Sequence, residues 1–73
     1  MEISDVEYDL LTTLQSKLEA LDAYEAYIED CDEAGEQGLR QLFEEIQRDD
    51  ERHAMRLREE LGRLITRASG GSS

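Results

Sequence analysis

The sequence predicts an all-α fold, a two-helix antiparallel hairpin that dimerises into a four-helix bundle, and three observations lead there. The 73 residues include no proline, 37% are charged and 5% aromatic, a composition that suits long amphipathic helices better than sheet. Apolar residues recur at three-four spacing over two long stretches, parted by the glycine-containing segment DEAGEQG, Asp32 to Gly38. A chain this short builds only a small core, so two such helices need further copies, or metal, to cover their stripes.

Helix 1 is expected over about residues 5–31. Ser4 followed by Glu7 is a capping-box pattern, and Asp5, Glu7 and Asp9 place negative charge at the positive end of the helix dipole. Its apolar positions are Val6, Leu10, Leu11, Leu14, Leu18, Leu21, Tyr24 and Ile28, and Cys31 near its end reads as a small apolar filler. The turn falls at 32–36, near Gly35. Helix 2 follows over about 36–67 on Leu39, Leu42, Phe43, Ile46, Leu57, Leu61 and Leu64, with Glu44/Arg48 and Glu59/Arg63 placed as i,i+4 pairs. Residues 68–73, ASGGSS, read as a flexible tail. Each helix spans about 40 Å at 1.5 Å per residue. Two hairpins packed face to face give the simplest closed arrangement, a homodimer or a higher assembly of such dimers.

The net charge of −11 is unevenly placed, with twelve acids and Lys17 in residues 1–36 against seven acids and seven arginines in residues 37–73. Phosphate backbones would repel such a chain, so no nucleic-acid partner is expected. No stretch approaches the roughly 18 apolar residues of a membrane span, and no basic-then-apolar leader opens the sequence. The single cysteine forms no intrachain disulfide, which fits a reducing, cytoplasmic setting. Hydrolase triads, phosphate loops and zinc-cysteine sets are missing from the motifs.

Ionisable residues interrupt both stripes. Lys17, the only lysine, stands between Leu14 and Leu21, while Asp50 and His53 stand between Ile46 and Leu57. Counting outward from a turn centred between Ala34 and Gly35 brings Lys17 opposite Arg52, so Lys17, Asp50 and His53 share one level. Burying a charge without a partner costs several kcal/mol, so the three call for a joint explanation. One such explanation is an ion pair between Lys17 and Asp50, with His53 satisfying the remaining hydrogen bonds.

The segments YEAYIED (Tyr24 to Asp30) and LRQLFEEIQRDDERHAMRLREEL (Leu39 to Leu61) resemble the helical hairpin of the ferritin-like superfamily, of rubrerythrin type, and the two-helix encapsulated ferritins. The resemblance implies a helix-1 glutamate ahead of a tyrosine and a helix-2 Glu-x-x-His, two hairpins together holding two iron or manganese ions. His53 matches the histidine, Asp50 stands at the helix-2 glutamate, and Lys17, seven residues before Tyr24, stands at the helix-1 glutamate. Tyr24 matches the tyrosine that can hydrogen-bond a ligand. An ammonium has no lone pair to offer a metal. In a dimer, two Asp50 carboxylates and two Lys17 ammoniums are already neutral, and a divalent ion would leave an excess of two positive charges in a poorly solvated core.

The favoured expectation is therefore a degenerate dimetal site with no cofactor, in a module that assembles with itself. The alternative is an iron or manganese protein with ferroxidase-like or other dimetal oxidoreductase chemistry, Asp50 and His53 from two chains forming the site and Glu19 or Glu51 replacing the lost carboxylate. An unrelated coiled-coil-like bundle, with all three residues at its rim, is a third reading. The closing ASGGSS resembles the linker before a shell-targeting peptide in encapsulated ferritins, which would make a protein shell a further partner; it also reads as an ordinary linker.

Overall fold

The structure, a computed structural model, describes residues 4–70, with side chains through Arg67. It consists of helix α1, Asp5–Ala34, and helix α2, Gln37–Gly70, packed against each other along their length.

Helix α1 starts at Ser4, whose extended backbone (φ −65°, ψ 158°) turns its Oγ toward the first turn, where it accepts the Glu7 N–H at 3.2 Å. The Ser4 hydroxyl in turn donates to Glu7 Oε1 at 3.3 Å. At the other end Gly35 takes the left-handed conformation (φ 73°, ψ 20°), its N–H donating to the Asp32 carbonyl at 3.1 Å while the Glu36 N–H donates to the Cys31 carbonyl at 2.8 Å. This is a Schellman closure, and glycine reaches it without a Cβ clash.

The helices are longer than the sequence predicts. Asp32, Glu33 and Ala34 continue α1 past residue 31, because nothing breaks the helix before Gly35. Helix α2 begins at Gln37 and runs through Ala68, Ser69 and Gly70, which read as tail in the sequence; residues 71–73 lie outside the described residues. The expected i,i+4 pairs are also replaced. Arg63 Nε donates to Glu60 at 2.7 Å, Arg52 pairs with Asp49, and Arg40 lies 3.8 Å from Glu44. Two of these three are i,i+3 pairs, the other spacing that a helix surface brings together.

The hairpin is a rod of 57 × 17 × 13 Å with a radius of gyration of 16.7 Å, against about 11 Å for a compact chain of this length. Among the described residues only Cys31, Asp50 and Ala54 fall below one tenth exposure, and no large side chain is fully buried. Leu10, Leu14, Leu21 and Ile28 on α1, with Phe43, Ile46, Leu57, Leu61 and Leu64 on α2, are half-buried along the seam. Toward the turn, Tyr24, Tyr27 and Phe43 cluster with ring centroids 5.6 to 6.3 Å apart. Beyond them Arg40 Nη1 donates to both Asp32 oxygens at 2.6 and 2.7 Å. No described helix is long and apolar enough to cross a membrane.

Candidate functional site

The mid-length layer of the hairpin is ionic rather than apolar. Lys17 Nζ donates to Asp50 Oδ1 at 2.8 Å, and the Tyr24 hydroxyl donates to Asp50 Oδ2 at 2.6 Å. Lys17 and Tyr24 are seven residues apart, two turns and about 10 Å along one face. Their long side chains converge on the short aspartate that α2 places between them. Asp50 is only 7% exposed, whereas the Lys17 side chain keeps 32% of its surface in water. The lysine thus buries its stem against the seam and brings its ammonium to the carboxylate at the edge of solvent.

His53 does not join this layer. It lies on an exposed flank of α2, and Tyr24 makes the hydrogen bond to Asp50 that the ion-pair reading expects of the histidine. Three residues advance a helix by about 300°, so His53 is turned some 60° away from Asp50 and off the contact line. Glu19 is exposed and accepts from Gln15 Nε2 at 3.3 Å, and Glu51 is exposed as well. The alternative carboxylates therefore stand apart from Asp50 within one chain.

Neighbouring charge governs the titration of the layer. The Lys17 ammonium first, then the Tyr24 hydroxyl, hold the Asp50 carboxyl below its usual range, against an opposing push from burial. Its bond to Asp50, reinforced by burial and by the negative charge of that carboxylate, raises the Tyr24 phenol above its ordinary value. Asp50 thus adds stability that is complete above the ordinary carboxylate range near 4 and is lost as pH falls through its depressed value. Thermal unfolding from pH 2 to 7 is expected to show Asp50→Asn well below the parent at neutral pH, with the gap closing below about pH 4. A gap of constant size would mean that the Asp50 charge adds nothing.

Whether these residues suit a metal ion follows from the donors. Both Asp50 oxygens already accept hydrogen bonds, one from a cation, and among the described residues no three His, Cys, Asp or Glu side chains gather where they could hold an ion. Within one chain the layer does not fit the dimetal ligand set. A groove of about 400 Å³ opens beside it, lined by Thr13, Lys17, His53, Arg56, Leu57 and Glu60. Sequence reasoning passes over Thr13 and Arg56; their only signal is their spacing, four residues before Lys17 and three after His53.

No known protein family, curated protein or solved structure matches the chain. The functional reading therefore rests on the geometry of this layer and on the surface around it.

Proposed function

We propose that the protein is a ferritin-like helical hairpin that assembles into a homodimeric four-helix bundle, with the Lys17–Asp50 ion pair standing in place of a dimetal site. The carrying observation is that each Asp50 oxygen already accepts a hydrogen bond, one from an ammonium at 2.8 Å and one from a phenol at 2.6 Å. A metal ion approaching that carboxylate would meet a positive charge at close range, which opposes binding by several kcal/mol even at an effective dielectric near 20. A polar layer inside an apolar bundle is suited to another task, fixing which hairpins pair and in what register.

The surface supports a second copy as partner. The chain exposes 5758 Å², whereas a compact monomer of its 8.4 kDa mass exposes about 4600 Å². The excess, about 1100 Å², exceeds the roughly 800 Å² that each partner gives to a stable interface. Sedimentation at micromolar concentration is expected to give at least a dimer; a cooperatively melting monomer would remove the proposal. Metal content of the same sample, purified without chelator, separates the two ferritin-like readings. Stoichiometric iron or manganese in the parent would replace the ion-pair reading with the metal-binding one.

A further inference from the structure

We infer that the twofold axis of the dimer crosses at His53, so that the imidazoles of the two copies meet there and close the ionic layer from the side away from the seam. This rests on the homodimer proposed above. A ferritin-like bundle joins its two hairpins by one long crossover, which leaves their turns at opposite ends. Two separate copies reach the same arrangement about an axis perpendicular to the helices, with α1 beside the partner's α1 and α2 beside the partner's α2.

Charge selects the side of the hairpin that the partner covers. At about 100° per residue, the flank of α1 within about 40° of Ala20 holds Val6, Thr13, Ser16 and Tyr27, and only Asp9 of the ten acids in residues 5–34. An equally wide flank about Leu11 holds five of them, Glu7, Asp22, Glu25, Glu29 and Glu33. Two copies of α1 can lie together on the first flank without facing their acids, but not on the second. Thr13 sets the Ala20 flank on the groove side, where α2 contributes His53, Arg56, Leu57 and Glu60. Most polar groups of this side are answered within the chain. Lys17 meets Asp50, Glu60 meets Arg63 with Arg56 also near, and Thr13 donates to the Asp9 carbonyl. That leaves His53 as the polar groove residue for a partner to satisfy.

Helix length fixes the level. Helix α2 is centred between His53 and Ala54, and α1 between Glu19 and Ala20. End-to-end overlap buries the most apolar surface and puts the axis at those residues. The partner's His53 then lies across from His53, and the partner's Leu64 across from Leu42, which is 48% exposed in the single chain. The small Ala20 stands where the two α1 helices come closest. A neutral imidazole carries one N–H donor and one acceptor nitrogen, so one His53 donates to the other. The 60° that turns His53 away from Asp50 thus turns it toward the partner. One polar pair in the middle of an interface fixes register, as a core asparagine does in coiled coils.

Disulfide trapping in the full chain, with Cys31→Ala to remove the native thiol, reads this geometry. His53→Cys places two thiols at the axis. Leu42→Cys with Leu64→Cys places two pairs astride it, although these positions are about 33 Å apart on one chain. Met55→Cys, on the outer face of α2 and 61% exposed, reports chance collision. With oxidised glutathione and micromolar protein, both designs are expected to form covalent dimers about a hundredfold faster than Met55→Cys, because an interface holds its thiols at millimolar effective concentration. Either design trapping no faster than Met55→Cys, in a variant that sediments as a dimer, overturns this placement and leaves the homodimer standing. Should His53→Cys part the copies, the Leu42 and Leu64 design, which keeps His53, decides alone. A parent that sediments as a monomer overturns both.

Discussion

Lys17→Ala is expected to destabilise the protein by about 2–3 kcal/mol and Lys17→Met by clearly less. Breaking a buried pair by removing one partner costs about 3–5 kcal/mol, and the 32% exposure of the Lys17 side chain moves the expectation below that range. Alanine removes the charge and also the stem that lies along the seam, whereas methionine keeps most of the volume. Asp50, 7% exposed, keeps only its Tyr24 bond in either variant. Asn at position 50 removes the negative charge that Lys17 answers, so Lys17→Ala combined with Asp50→Asn should cost less than the two single changes added together. Chemical denaturation of the four proteins at one chain concentration measures this coupling, expected at about 1–2 kcal/mol. Strict additivity would show that the 2.8 Å contact contributes nothing to stability.

The largest expected response comes from changing the layer's charge outright. Lys17→Glu with Asp50→Glu would give a dimer four carboxylates and two His53 imidazoles, the ligand set that the resemblance implies. Without metal, this variant is expected to melt well below the parent, because like charges crowd a layer that now holds an ion pair. Added Fe(II) or Mn(II) should then raise its melting temperature, binding at a hundred times Kd being worth about 2.7 kcal/mol. The parent, with its ammonium in place, should shift little. Equal shifts in parent and variant would show that Lys17 does not exclude metal.

Much of this hairpin can be read in its residues. Ser4 and Glu7 announce the start of α1, and Gly35 marks the one position among the described residues where the chain takes a left-handed turn. Counting outward from that glycine is enough to bring Lys17 and Asp50 to the same level, because two antiparallel helices advance at equal rates from a short turn. Helix ends are harder to read. Asp32, Glu33 and Ala34 are neither strong breakers nor part of the apolar stripe, so only the Schellman bonds at Gly35 locate the end. The place of His53 is harder still. Three-four spacing treats Asp50 and His53 as one row, yet the 60° between them separates a carboxylate in the seam from an imidazole on the flank. Tyr24 fills the seam like a hydrophobe along most of its length, so its spacing alone hides its polar role; only the resemblance places it in the polar network, and the structure adds that its hydroxyl donates to Asp50.

The tight turn at Gly35 also sets the order in which the hairpin can close. Among the described residues the side-chain bonds between the two helices are nested around it, with Asp32–Arg40 eight residues apart, Tyr24–Asp50 twenty-six and Lys17–Asp50 thirty-three. Each pair, once made, leaves only a short further loop to be closed by the next. Doubling a loop costs about 0.6 kcal/mol in chain entropy, so no single closure from the turn outward presents a large barrier. The chain is thus wired to zip from its turn, aromatic cluster before ion pair, and such nearest-first topologies fold rapidly. The ionic layer closes about midway in that sequence, after the aromatic cluster and before the outer leucines, where an incorrect register would leave Asp50 facing apolar side chains.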